Sequence, residues 1–110
     1  MTKQYLLLFI NKDMPMEQDP EKRKAGTRVW TDWMASMQDK LVDGLPVMRA
    51  GKIARKRSVR DYKPKTNDVS GYFIIKADSI EEAVKIAQSS PHAKMNQGPI
   101  VVRECLPVDM

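Results

Sequence analysis

The stretch GYFIIKADSIEEA, residues 71–83, decides the fold of this 110-residue chain because a strand signal runs directly into a helix signal. Its first part, residues 72–75, consists of aromatic and β-branched side chains, which favour an extended strand. Turn-forming residues at 63–68 precede it. We therefore predict a strand over residues 69–77 that is central in its sheet.

The second part of the same stretch predicts a helix start. Ser79 and Glu82 form a capping box, in which the serine hydroxyl accepts from the amide three residues on and the glutamate reaches back to the amide of Ser79. Pro91 cannot continue a helix and so predicts its end.

Two further elements are predicted on the N-terminal side. The apolar run at residues 5–10 predicts a short buried strand. Asp19 before Pro20 is typical of a helix start, and an apolar stripe predicts a helix over residues 20–42 with Gly44 as its stop. The stripe consists of Ala25, Val29, Trp33, Met37 and Leu41, widened by Trp30 and Met34.

The remaining segments complete a recognisable order. A polar-rich second strand is predicted over residues 45–48 and 53–59, and a last strand over residues 99–106. The order strand, helix, strand, strand, helix, strand predicts a ferredoxin-like α+β fold, with an antiparallel sheet and both helices on one face. The length predicts one domain over residues 1–110.

Both faces of the predicted sheet are apolar. Alternation along the strand places Phe73 and Ile75 on one face and Tyr72 and Ile74 on the other. The helices can cover only one of these faces. We therefore predict that a second copy of the chain covers the other, as a symmetric homodimer.

Composition narrows the class of protein. The chain is 42% hydrophobic and 30% charged, as in soluble globular proteins. Its longest apolar run is far shorter than the roughly 20 residues of a membrane span, and no signal-peptide cleavage site comes after that run, so we expect a cytoplasmic protein with no membrane partner. One thiol, Cys105, and one histidine cannot build a structural zinc site, and we expect no metal or cofactor.

Basic residues are concentrated in residues 49–65, which hold eight Lys and Arg against Asp61 alone. A solvated basic hairpin is the simpler interpretation, and nucleic acid is not the expected partner. The alternative is a nucleic-acid-binding or protein-binding module that uses Arg55, Lys56, Arg57 and Arg60.

A family resemblance rests mainly on the last forty residues. The stretch 71–83, continuing through Ala87, Pro91 and Gly98 to residues 101–103, resembles the YCII-related family and its DGPF subgroup. The opening residues 3–9 and the end of the first helix are also similar to it. This resemblance implies a dimeric α+β barrel, in which two ferredoxin-like sheets pair across a dimer and leave pockets.

The chain departs from that family where chemistry is expected. Family members that look enzymatic carry a His on the first helix and an Asp before the Pro at the end of the second helix, a pair suited to proton transfer. The matching positions here hold Trp30, Trp33 and Ser90, and residues 61–64 keep only a degenerate DGPF motif. The resemblance therefore implies a fold and a pocket rather than a reaction.

The candidate site residues fall into three groups. Trp30, Trp33, Met37 and Tyr72 are candidates for the walls of a pocket for a flat ligand, with core packing as the alternative. Arg60, Lys76 and Arg103 are candidates for holding a carboxylate or phosphate. His92 is the candidate general base, with packing in a loop as the alternative.

These observations predict that the protein binds a small organic ligand, an anionic one included, in a pocket of a homodimer. The alternatives left open are a small hydrolase-type or lyase-type enzyme assisted by His92 and the nucleic-acid-binding or protein-binding module.

Overall fold

The computed structural model describes residues 2–12 and 18–107, which contain six strands and three helices. Their bounds in chain order are β1 Lys3–Asn11, α1 Pro20–Ser36, β2 Leu41–Pro46, β3 Gly51–Arg55, β4 Ser58–Tyr62, β5 Asp68–Ala77, α2 Ile80–Gln88, α3 Pro91–Lys94 and β6 Ile100–Glu104. None of the helices in these ranges is both long enough and apolar enough to span a membrane.

Four strands form one antiparallel sheet in the order β2-β5-β1-β6. This is the strand order of a ferredoxin-like fold, so the predicted fold class is confirmed, as is the central position of β5. The other two strands, β3 and β4, pair only with each other and form a separate two-stranded ribbon.

The core lies between the helices and one face of the sheet. Alternate residues of β1, among them Leu7 and Phe9, are at most 3% exposed and contact the matching residues of β5. The helices contribute Trp33 from α1 and Ala83 and Ala87 from α2. Because both helices pack on the same side, the opposite sheet face is left open, as the sequence predicts.

The predicted cap of α2 is confirmed in its first half. The Ser79 hydroxyl accepts from the amide of Glu82 at 3.1 Å. The Glu82 carboxylate, however, accepts from the amide of Asp78 at 3.2 Å rather than from Ser79, and from the Lys40 ammonium at 3.3 Å. The Asp78 bond is the main reason that the pKa of Glu82 lies below its ordinary value.

The predicted end of the first helix is wrong. Helix α1 ends at Ser36, Met37 caps it, and the chain turns back into β2 at Leu41. The apolar stripe predicts too long a helix because it includes Leu41. This residue packs against the core, but it does so from a strand. Residues 37–40 form a turn in which the Met37 carbonyl accepts from the amides of Lys40 and Leu41, and pairing with β5 makes residues 41–46 a strand.

The prediction of a single second strand over residues 45–48 and 53–59 is also wrong. The sheet strand is β2, which contains Gly44, so that glycine does not stop a helix. Residues 53–59 belong to the ribbon, with a turn at Lys56 and Arg57. The alternation of residues 53–59 is compatible with a sheet strand, but the residues of this segment are exposed on both faces, so nothing in it specifies pairing with the main sheet.

Gly44 is required by a close approach rather than by its backbone angles. A β-carbon at this position would lie 1.9 Å from Cδ1 of Phe73, whose ring is buried among other aromatic rings. By contrast, a β-carbon at Gly26 on α1 would meet nothing within 4 Å.

We predict that Gly44→Ala lowers the free energy of unfolding by about 1–3 kcal/mol, the usual cost of overpacking a core. Gly26→Ala, the matched control, should raise it by up to about 1 kcal/mol because alanine favours a helix over glycine. Urea denaturation measures both. Equal effects of the two substitutions would contradict this account of Gly44.

Candidate ligand-binding site

A cavity of about 390 Å³ opens between α1, the edge of the sheet formed by β2 and β5, and the segment around α3. It is lined by Phe9, Asn11, Thr27, Trp30, Thr31, Met34, Gly44, Leu45, Pro46, Ser70, Gly71, Tyr72, Phe73, His92 and Gln97.

One side of the cavity is aromatic. The rings of Trp30 and Phe73 stack at 6.0 Å between centroids and 29° between planes. Phe9 meets both rings edge to face, at 5.5 Å and 5.6 Å. The rings thus hold one another in place and present a rigid apolar wall.

A second part of the lining, the neutral polar wall, is polar but uncharged. The pairing of β1 with β5 shifts register between Phe9 and Ile10, which leaves Ser70 without a partner residue on β1. The Ser70 hydroxyl lies 3.1 Å from Oδ1 of Asn11 and 3.3 Å from the carbonyl oxygen of Phe9. With Gln97, these groups offer amides and a hydroxyl to a ligand.

His92 lies at the floor of the cavity and is 1% exposed. Its Nε2 is 3.0 Å from the carbonyl oxygen of Ile10, and its ring meets the edge of Phe9 at 5.2 Å. Because a carbonyl can only accept, Nε2 carries the proton of this bond.

Burial lowers the pKa of His92 below its ordinary value, against the opposing effect of hydrogen bonds to the backbone of Ile10, Pro99 and Gly98. The ring is therefore neutral at neutral pH, and it adds no charge to the cavity.

The segment after α3 closes against the end of β1. Pro99 accepts from the amide of Ile10 at 3.0 Å, and Gln97 accepts from the amide of Lys12 at 3.1 Å. Gly98 has a φ of +150°, and a β-carbon there would lie 2.0 Å from the carbonyl oxygen of Ile10. Only glycine therefore permits the approach that brings Gln97 to the cavity.

Three of the residues proposed from sequence border the cavity, namely Trp30, Tyr72 and His92. Tyr72 lies at the rim, because strand alternation points its side chain away from the face that carries Phe73. Trp33 and Met37 lie instead in the core, where the indole of Trp33 donates to the Ser89 hydroxyl at 3.0 Å.

None of the three proposed cations lines the cavity. Arg60 is on the ribbon. Lys76 and Arg103 pair with residues of β1 on the open sheet face, opposite Gln4 and Leu6. None of these three cations therefore lies beside the aromatic wall.

The described part of the chain holds no group of three or more His, Cys, Asp or Glu side chains placed to bind a metal ion. Ser90 is fully buried, and its hydroxyl caps α3 by accepting from the amide of Ala93 at 3.3 Å. Its hydroxyl therefore has a structural role.

Most of the lining is not predictable from the sequence, since only three of its fifteen residues were proposed. Phe9 and Phe73 fall in predicted strands, and alternation predicts the face of Phe73, but no local pattern shows that a helix tryptophan contacts both rings. Asn11, Ser70 and Gln97 come together from three distant segments. Asn11 has one local signal, a polar residue at the end of an apolar strand, and Ser70 and Gln97 have none.

The chain is similar in structure to the 5-chloro-2-hydroxyhydroquinone dehydrochlorinase of Burkholderia phenoliruptrix AC1100, which was solved in complex with 2,5-dihydroxybenzoquinone. The TM-score is 0.56, the sequence identity is 17%, and the match covers 91% of this chain and 90% of that chain. No protein-family model and no curated protein matches the chain. The likeness shows a shared α+β fold.

We predict that proton NMR of His92, the chain's only histidine, gives a pKa below 6.5. As the pH falls, His92 is then protonated in the unfolded state before it is protonated in the folded state. The free energy of unfolding should therefore decrease below pH 6.5, and above pH 6.5 it should not depend on His92. His92→Gln, which keeps an N–H donor, should lose that dependence. A measured pKa at or above 6.5 would contradict the burial argument.

Proposed function

We propose that the protein binds a small, planar, uncharged organic molecule in this cavity. The observation that carries the proposal is the combination of a rigid aromatic wall with neutral polar groups around one cavity of about 390 Å³. A volume of this order is typical of small-molecule sites, which combine mostly apolar walls with a few placed polar groups.

The chemistry of the two walls indicates the class of ligand. A flat ring fits against Trp30 and Phe73, where stacking adds to the burial of apolar surface. Hydroxyl or carbonyl substituents on that ring would face Asn11, Ser70 and Gln97, which can both donate and accept. The dehydrochlorinase of similar fold, whose complex contains a six-membered ring with hydroxyl and carbonyl groups, supports this class of ligand.

The absence of charge in the lining argues against an anionic ligand. Every side chain that lines the cavity in the described part of the chain is neutral, and burying a charge without a partner is costly. Lys76 and Arg103 cannot supply that partner from the other sheet face.

Proton transfer assisted by His92, in a hydrolase-type or lyase-type reaction, is the second candidate function. It is favoured by the neutral ring at the cavity floor, which is the protonation state of a general base. The near-complete burial of that ring and its bond to Ile10 instead favour a structural role. Binding is therefore the function that the geometry supports best.

We further propose that the chain is a single domain of the YCII-related type and forms a homodimer through the open sheet face. One row across that face is continuously apolar, from Leu45 through Tyr72 and Leu8 to Val101. Leu45 is 61% exposed and Val101 is 41% exposed. A contiguous apolar face of this kind is typical of a protein interface.

The next row supports a second copy as the occupant. Asp43 on β2 and Arg103 on β6 lie at opposite ends of that row, with Ile74 and Leu6 between them. A two-fold axis parallel to the strands would set Arg103 of each copy opposite the partner's Asp43. The face is thus complementary to itself, as a symmetric dimer requires.

Ligand binding is tested with hydroquinone, which is uncharged at neutral pH, and with 4-hydroxybenzoate as its anionic counterpart. We expect calorimetric titration to show tighter binding of hydroquinone. Thr31→Phe, which places a ring in the cavity from α1, should weaken that binding at least tenfold. The matched control Asp32→Phe, at an exposed neighbour outside the lining, should leave it unchanged.

Equal affinity for the two compounds would contradict the argument from charge. Unchanged hydroquinone binding by Thr31→Phe would show that the cavity is not the site.

The dimer is tested by sedimentation velocity. Leu8→Asp places a charge in the centre of the open face, so we expect a monomer. Val29→Asp, the control at an exposed apolar position of α1, should remain a dimer. A monomeric wild-type protein would refute the proposed interface.

A further inference from the structure

The ribbon of β3 and β4, residues 51–62, projects from the body of the protein. All of its residues are exposed except Tyr62, which is half-buried. Its strands pair from Gly51 opposite Tyr62 to Arg55 opposite Ser58, and they form no ladder with the main sheet. The ribbon therefore contributes nothing to the core, and its sequence is free to serve another purpose.

The base of the ribbon is held in place. The Tyr62 hydroxyl donates to the Asp68 carboxylate at the start of β5, and the same carboxylate accepts from the amide of Lys65 at 3.1 Å. These bonds, that of Tyr62 foremost, hold the pKa of Asp68 below its ordinary value, so the acceptor stays ionised. Arg49 also donates to the carbonyl oxygen of Lys65 at 3.2 Å. The ribbon is thus an arm that is anchored at its base by hydrogen bonds.

The outer part of this arm carries unbalanced positive charge. Its one acidic residue, Asp61, forms an ion pair with Lys52 at the inner end. Four cations remain, and none of them makes an ion pair with any residue of the described ranges. They are Arg55, Lys56, Arg57 and Arg60.

The register arranges these cations around the tip. Arg55 stands opposite Ser58 and Arg60 opposite Ile53, two pairs apart, so the two arginines lie on the same face of the ribbon. Lys56 and Arg57 occupy the turn. Neighbouring like charges raise the local positive potential, which attracts an anionic partner.

We propose that this basic ribbon binds the phosphate backbone of double-stranded DNA, without sequence preference. A two-stranded ribbon is narrow enough to enter the major groove, which is about 12 Å wide, with phosphates on either side. Arginine guanidinium groups suit phosphates in particular, because they form two parallel hydrogen bonds.

The absence of a free aromatic ring favours a duplex over a single strand. Single-stranded nucleic acid is bound largely by bases stacking on aromatic side chains. Tyr62, the one aromatic residue of the ribbon, is at its base and is bonded to Asp68. The contacts that the four cations can make are ionic, and they would be made to phosphates rather than to bases.

The test is fluorescence anisotropy with a labelled DNA duplex of mixed sequence and with one of its strands alone. We expect the duplex to bind more tightly, and log Kd to rise with log salt with a slope of about 3 to 4, as three or four phosphate contacts require. Replacing Arg55, Arg57 and Arg60 together by Glu should weaken duplex binding at least tenfold.

The matched control replaces Arg23, Lys24 and Arg28 of α1 by Glu, an equal change of charge at exposed positions outside the ribbon, and should cost less than threefold. Far-UV circular dichroism confirms that both variants are folded. Hydroquinone binding is a second check, because the ribbon does not line the cavity. Equal losses in the two variants, tighter binding of the single strand, or no binding of the duplex by the wild type at low salt would each overturn the proposal.

Discussion

The antiparallel pairing of β1 with β5 is the constraint on which the rest of the structure depends. It sets Leu7 opposite Phe73 and Phe9 opposite Gly71, and so fixes which alternate residues face the helices. A slip of one residue would exchange the buried face for the open one. The side chains of the core, the aromatic wall and the open face are all set by this single register.

The same pairing creates the cavity at the point where it becomes irregular. The shift after Phe9 leaves Ser70 unpaired and lets the Ile10 carbonyl reach His92. Irregularities of this kind re-aim side chains next to binding sites. Two glycines, Gly44 and Gly71, keep the neighbouring strand surface free of side chains where Phe73 and the β2 backbone approach closely. The cavity thus lies beside one register shift and two close approaches that glycine permits.

Sequence reasoning succeeded where a signal is local and strong. The cap at Ser79, the start at Pro20 and the alternation in β5 are each decided by a few neighbouring residues. The end of the first helix was predicted wrongly because Leu41 satisfies a helix stripe and a strand face equally well. The ribbon was predicted as a sheet strand because its exposed residues do not specify a pairing partner. The site was only partly predicted, since Asn11, Ser70 and Gln97 meet through tertiary structure, and the cations that suggested an anionic ligand lie elsewhere.

The measurement that tests the central claim most directly is a titration of ¹⁵N-labelled protein with hydroquinone, monitored by NMR. The account predicts saturable shifts confined to amides around the cavity, those of Ser70, Gly71 and Gln97 foremost. The ribbon and the part of the open sheet face outside the cavity lining, Leu8 and Val101 among it, should not respond. Saturable shifts at those surfaces, or none at the cavity, would contradict a ligand site built from the aromatic wall and the neutral polar wall.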